Sequence, residues 1–81
     1  MQVSILKTRK LIWEGNVKSV SLPTPEGEMC VLDFHQAFLV RLKKGEIRLS
    51  NPDFLTSVKD GIAFMQSNTL KILVETKEGK S

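Results

Sequence analysis

The sequence has one cysteine, one histidine, one tryptophan and no tyrosine, and each scarcity closes off a class of function. The lone thiol, Cys30, can form no internal disulfide, so a reducing compartment is the natural home. One Cys and one His fall short of the three or four ligands of a structural zinc site, so no metal is expected. The glycines, Gly15, Gly27, Gly45, Gly61 and Gly79, are isolated and read as turns. That leaves no glycine-rich phosphate cradle, and no nucleotide cofactor is expected. No apolar run approaches the ~18 to 20 residues that a membrane-crossing helix needs, and MQVSILKTRK lacks the basic-then-apolar order of a secretory signal, so the chain is expected to be soluble.

What is present suits one small folded domain. A chain of 81 residues buries only somewhat more than ~60% of its unfolded surface, which leaves no room for a deep catalytic cleft. Apolar residues make up 41% and charged residues 26%, a balance that argues for a packed core and against disorder. The formal charge is +3, but the basic residues are interspersed with acids, and only Lys7-Thr8-Arg9-Lys10 and Arg41-Leu42-Lys43-Lys44 form local clusters. Binding of single-stranded nucleic acid calls for exposed aromatics between the cations. Here the aromatics sit among aliphatic residues, so no nucleic-acid partner is expected.

Along the chain the dominant period is two. Met1, Val3 and Ile5 alternate with Gln2 and Ser4 as in a strand with one buried face, and Lys7 to Lys10 turns the chain. Leu11-Ile12-Trp13 resumes apolar character, with Trp13 read as core, and Glu14-Gly15-Asn16 is expected to interrupt the strand with a bulge or turn. Val17, Val20 and Leu22 lead to Pro23-Thr24-Pro25, where two fixed φ angles and two missing donors are expected to end any strand ladder. Glu26-Gly27-Glu28 follows as an exposed tip carrying two carboxylates. Met29 to Leu32 is a short strand closed by Asp33-Phe34-His35, and Ala37 to Leu42 is another. Lys43-Lys44-Gly45 reads as a hairpin turn whose return strand is Glu46 to Leu49.

Phe54, Val58, Ile62 and Met65 recur at near-helical spacing and Asp53 suits an N-cap, so a helix competes with strands there. The β-forming run Phe54 to Val58 and the break at Asp60-Gly61 favour two strands with a turn at Asp60-Gly61. Ser67-Asn68 is a turn, and Leu70 to Val74 is the last strand. The expected architecture is all-β, an antiparallel β-sandwich or flattened barrel of short strands over residues 1–75, with a flexible polar tail at 76–81.

The catalytic candidates have plainer readings. Cys30, Asp33 and His35 are close in sequence, which alone builds no nucleophile and base. Cys30, flanked by Met29 and Val31, is read as a buried structural thiol. Glu26 and Glu28 lie in a solvated loop with no pocket to shift their pKa values. As a pair they suit docking to a cationic partner. No catalytic residue is assigned.

The run VKSVSLPTPEGEMCVLDFHQAFLVRLKKGEI resembles the N-terminal β-sandwich domain of the epsilon subunit of F-type ATP synthases. The resemblance follows an ordered series: Val20 to Pro23, Glu26-Gly27-Glu28, Met29 to Leu32, His35, Ala37-Phe38-Leu39 and Leu42 to Gly45. Trp13-Glu14-Gly15 resembles the family's aromatic-x-glycine, Val58 to Gly61 its second glycine turn, and Leu70 to Val74 its closing strand. Cys30 stands where the family commonly has glycine, Asp33-Phe34 replaces a Pro-x corner, and Lys59-Asp60 replaces small residues. The family usually continues into a two-helix C-terminal domain that carries its ATP-binding and inhibitory residues, which have no counterpart here. A shortened chain and a naturally short subunit both fit.

The resemblance implies a non-catalytic rotor component of the central stalk that links the gamma subunit to the membrane c-ring and supports coupling of proton transport to ATP synthesis. It implies contact of Thr24, Pro25, Glu26, Gly27 and Glu28 with the polar loops of the c-ring. His35, Gln36, Phe38, Val40 and Arg41 would then lie against gamma. The location implied is the cytoplasmic face of the bacterial inner membrane, peripheral through the complex, and the isolated chain is expected to be a monomer. The competing reading is a small free-standing β-barrel binding module for RNA.

Overall fold

The computed structural model describes residues 1–50 and 53–75, so the tail expected at 76–81 lies outside the described residues. The described chain is built from strands: β1 (Gln2–Lys7), β2 (Lys10–Asn16), β3 (Ser19–Thr24), β4 (Gly27–Leu32), β5 (Phe38–Leu42), β6 (Gly45–Ser50), β7 (Phe54–Val58), β8 (Asp60–Gln66) and β9 (Thr69–Glu75). They form a five-stranded sheet in the order β2-β1-β9-β8-β5 and a four-stranded sheet in the order β4-β3-β6-β7. The expected β-sandwich is present. Every pairing is antiparallel except β1 with β9, where Val3 lies beside Leu70 and Ile5 beside Ile72 in parallel register.

Alternation decides what is inside. Val3, Ile5, Ala63, Met65, Leu70 and Ile72 of the larger sheet meet Val20, Leu22, Val31, Ile47 and Leu49 of the smaller one, all essentially without solvent contact. Trp13 on edge strand β2 is half-buried and stacks on Phe54 of edge strand β7, ring centroids 5.7 Å apart and planes at 26°. The pair bridges corresponding edges of the two sheets.

Several local expectations are corrected. Glu14, Gly15 and Asn16 do not interrupt β2; they stay in register with Ser4, Val3 and Gln2, and the irregularity lies between Ile5 and Leu6, leaving Ile12 as the extra residue. The β3–β4 ladder does not stop at Pro23, which pairs with Glu28, while Thr24 pairs with Gly27. Pro23 is tolerated because the register of β3 with its other neighbour, β6, covers only Ser19 to Ser21, so the missing N–H breaks no bond on that side.

Lys43-Lys44-Gly45 is not a hairpin turn. β5 pairs with β8, whereas β6 pairs with β3 and β7, so Lys43-Lys44 carries the chain from one sheet to the other. The Lys43 N–H donates to the Pro23 carbonyl over 2.9 Å and fixes this crossing. The chain returns at Lys59, whose N–H donates to the Glu75 carbonyl over 2.8 Å. Asp60 and Gly61 therefore belong to β8 and are not a turn. A Cβ on Gly61 would stand 2.4 Å from the Leu73 carbonyl oxygen, so this crossing requires a residue without a side chain. Phe54 to Met65 is strand throughout except for the single residue at the crossing; its near-helical spacing arises from two period-two patterns joined out of phase.

Cys30 is exposed, not buried. Because Met29 and Val31 turn inward on β4, Cys30 between them must turn outward.

Candidate functional site

The turn from Thr24 to Gly27 is organised by one hydroxyl. Thr24 is 6% exposed; its Oγ1 donates to the Gly27 carbonyl over 2.6 Å and accepts from the Glu26 N–H over 3.3 Å. Gly27 sits at φ +120°, outside the range of ordinary side-chain-bearing residues, which lets the chain re-enter β4 directly. Pro25 and Glu26 occupy the exposed tip. Glu28 does not share it: it lies in β4, where its carboxylate accepts from the Ser21 hydroxyl on the adjacent strand. The two acids expected at one tip are thus one exposed carboxylate at the apex and one pinned to the outer surface of the four-stranded sheet. The turn adjoins β5, with Thr24 to Met29 and Leu39 to Arg41 lining one shallow depression.

The second candidate region begins at the corner after β4. The Asp33 carboxylate accepts from the Met1 α-ammonium, which also donates to the Val17 carbonyl over 3.0 Å. That charged hydrogen bond, with help from Lys18 and Asn68, holds the Asp33 carboxyl below its ordinary range. Phe34 adopts φ +59°, and its N–H donates to Asn68 Oδ1 over 2.7 Å in the β8–β9 turn, itself formed by Ser67 and Asn68 at φ +52° and +55°. The Phe34 ring is 80% exposed. His35 Nδ1 lies 2.9 Å from the Gln36 carbonyl, and its ring meets Phe38 edge-on at 5.3 Å. With Cys30 facing outward on β4, these neighbours give His35 no nucleophile to activate. No group of three His, Cys, Asp or Glu side chains among the described residues is placed to hold a metal ion.

β5 separates the expected gamma-facing residues. Phe38 and Val40 pack against the core, in phase with fully buried Leu42, while Arg41 and Gln36 are exposed and His35 is half-buried. The apolar residue that β5 presents to solvent is Leu39, 72% exposed. It was absent from the expected set although it lies in the motif, and the signal was its odd, three-residue separation from buried Leu42, which puts the two on opposite faces of the strand.

Leu39 does not stand alone. It is opposite Phe64 on β8; Ile62 on β8 is opposite Leu73 on β9; and Leu73 is opposite Leu6 on β1. An apolar stripe therefore crosses the outer face of the five-stranded sheet, with Ile62 and Leu73 each 45% exposed. At its β5 end, Leu39, Ile62, Gly61 and Leu73 line a depression of about 590 Å³ edged by Arg41 and Asp60, whose charged groups are 3.8 Å apart. These residues offer apolar contact, a charged rim and no reacting pair. An apolar centre with a charged rim is the composition of a protein-binding surface.

A sequence model of the family described as "ATP synthase, Delta/Epsilon chain, beta-sandwich domain" matches residues 1–80. The ATP synthase epsilon chain of Chromobacterium violaceum is 32% identical over 80 residues, covering 94% of this chain and 57% of the relative. The chloroplastic ATP synthase epsilon chain of Euglena gracilis is 35% identical over 82 residues, covering 96% and 61%. The present chain thus spans less than two thirds of the length of these relatives. Among solved structures, a chain of the Euglena gracilis mitochondrial ATP synthase, OSCP/F1/c-ring, superposes with a TM-score of 0.82 at 19% identity, over 89% of this chain and 48% of that one. One from the central stalk/c-ring of the Tetrahymena thermophila mitochondrial ATP synthase gives 0.79 at 17%, over 91% and 62%. The structural likenesses speak for the fold, and the sequence match over residues 1–80 speaks for descent: the chain belongs to the family of ATP synthase delta/epsilon chain β-sandwich domains.

Proposed function

We propose that this domain is a non-catalytic part of an ATP synthase rotor that clamps the gamma subunit on one surface and the polar loops of the c-ring on another. The observation that carries the reading is the apolar stripe from Leu39 and Phe64 through Ile62 to Leu73, on a sheet whose other side already packs the core. A small domain gains nothing by exposing such a stripe unless a partner covers it. The gamma subunit is the partner proposed, with Leu39 as anchor, Gln36, Arg41 and Asp60 at the rim, and Phe38, Val40 and His35 as the support that holds β5 in place. The Thr24–Glu28 turn, next to that surface, is the proposed c-ring contact, with Pro25 and Glu26 as its leading residues.

A stiff two-sheet block suits this task, because torque passes between partners only through an element that does not deform. The location that follows is peripheral, at the cytoplasmic face of a bacterial inner membrane, through the complex. The RNA-binding alternative lacks stacking platforms among its cations: Trp13 and Phe54 stack on each other, Phe38 packs inward, and the exposed Phe34 lies beside Asp33 and Asn68, away from both basic clusters. The test is co-purification of the C-terminally tagged chain with ATP synthase gamma and c subunits. Recovery of both supports the proposal; a chain recovered free of both from cells that assemble the enzyme contradicts it.

A further inference from the structure

The two basic clusters that stand out in the sequence are far apart along the chain, yet the topology brings them to one end of the sandwich. Lys7 pairs with Lys10 at the β1–β2 turn and with Val74 near the end of β9. Val74 and Glu75 pair with Gly61 and Asp60, next to Lys59. Gly61 pairs with Leu42, and Lys43 bonds to Pro23 beside the Thr24–Glu28 turn. Seven of the ten described lysines and arginines therefore share the end that carries the proposed c-ring contact. Arg9, Lys10, Lys43, Lys44 and Lys59 are all exposed.

Acids are present too, but they offset only part of this charge. Asp60 faces Arg41, Glu28 is held by Ser21, and Glu26, Glu46 and Glu75 remain. At the opposite end Lys18 stands with Asp33 and Asp53, so the basic excess belongs to one end alone. A domain polarised in this way is oriented by an anionic surface before any short-range contact forms.

We propose that this end binds the phosphate headgroups of an anionic lipid bilayer, the lysines and Arg9 resting on the membrane surface around the acidic turn tip. The inference rests on the reading that this end faces the membrane. Lys43 and Lys44 share one depression with Arg48, but Lys7, Arg9, Lys10 and Lys59 come from separate turns and crossings outside it, spread over an end face on a molecule with principal extents of 37 × 26 × 20 Å. Such spacing suits laterally mobile headgroups that adjust to each cation, and suits a single bound phosphate poorly. No exposed aromatic lies at this end, which disfavours single-stranded nucleic acid and indicates electrostatic attachment without insertion.

The test is sedimentation of the 81-residue chain with phosphatidylcholine vesicles, with and without phosphatidylglycerol. Binding is expected only to the anionic vesicles and should fall as salt rises. At roughly fivefold per basic side chain near the surface, Lys43→Gln with Lys44→Gln should lower partitioning about tenfold or more. Lys18→Gln with Lys71→Gln, which removes the same charge elsewhere, should change it by less than about twofold. Equal binding to neutral vesicles, no binding to either, equal loss in the two double variants, or tighter binding to duplex DNA than to anionic vesicles at one ionic strength overturns the proposal. The vesicles hold no c subunit, so this outcome is separable from that of ring docking.

Discussion

Trp13 and Phe54 stack across the gap between the two sheets, 5.7 Å apart, and close one side of the sandwich with the only direct aromatic pair between β2 and β7 among the described residues. Both rings are half-buried, so truncating either should stay below the ~3 to 5 kcal/mol of a fully buried aromatic. Phe54→Ala is expected to lower stability by about 2 kcal/mol in urea titrations and to shift Trp13 fluorescence to the red in the folded protein. An unshifted spectrum would mean that the ring is not what shields Trp13.

Gly61 and Gly27 should respond differently to alanine. At Gly61 the added methyl meets backbone, the Leu73 carbonyl oxygen at 2.4 Å, and neither strand can retreat without breaking the β8–β9 ladder. Gly61→Ala is expected to cost about 3 kcal/mol or to prevent folding. At Gly27 the space is open and the strain is in φ alone, so Gly27→Ala should cost about 1 to 2 kcal/mol. Calorimetric melting of both variants gives the order.

Asp33 is expected to make stability fall in acid. Its carboxyl titrates below the ordinary value of 3.8 because the charged form is held by the Met1 α-ammonium. A depressed folded-state pKa contributes stability that is fully present above the unfolded value and is lost as pH falls through the folded value. Asp33→Asn should therefore be less stable than the native sequence at neutral pH, and the two urea midpoints should converge as pH drops below the carboxylate range. Parallel curves down to strong acid would remove Asp33 from the account.

The chain's β character, the turn at Ser67-Asn68 and the reversal after Pro23 were legible because each rests on local alternation and turn chemistry. The crossings at Lys43-Lys44 and Lys59 were not. A hairpin and a jump between sheets both require a short polar link between two alternating runs, and only long-range pairing of β5 with β8 and β6 with β3 distinguishes them. The candidate site shows the same limit. The segment around β5 was legible, but its exposed face depended on Leu42 being inside, which pairing decides and composition does not.

Glu26 and Glu28 should contribute unequally to ring docking. Glu26 is free at the apex, while Glu28 is engaged by Ser21, so Glu26→Gln is expected to weaken docking at low salt by up to about fivefold, as exposed ion pairs contribute ~0 to 1 kcal/mol. Glu28→Gln should matter less. Docking of each variant on reconstituted c-rings, repeated at high salt where the difference should vanish, checks the assignment.

The central claim is that the outer face of the five-stranded sheet is the gamma contact and that Leu39 anchors it. Titration calorimetry with purified gamma subunit tests this most directly, comparing Leu39→Asp with the native chain after circular dichroism has established that both are folded. Leu39 is 72% exposed, so the substitution should leave the fold intact, and an anchor at an interface centre contributes ~2 kcal/mol or more. Binding at least tenfold weaker, with unchanged melting, is the predicted result; affinity equal to that of the native chain would contradict the account.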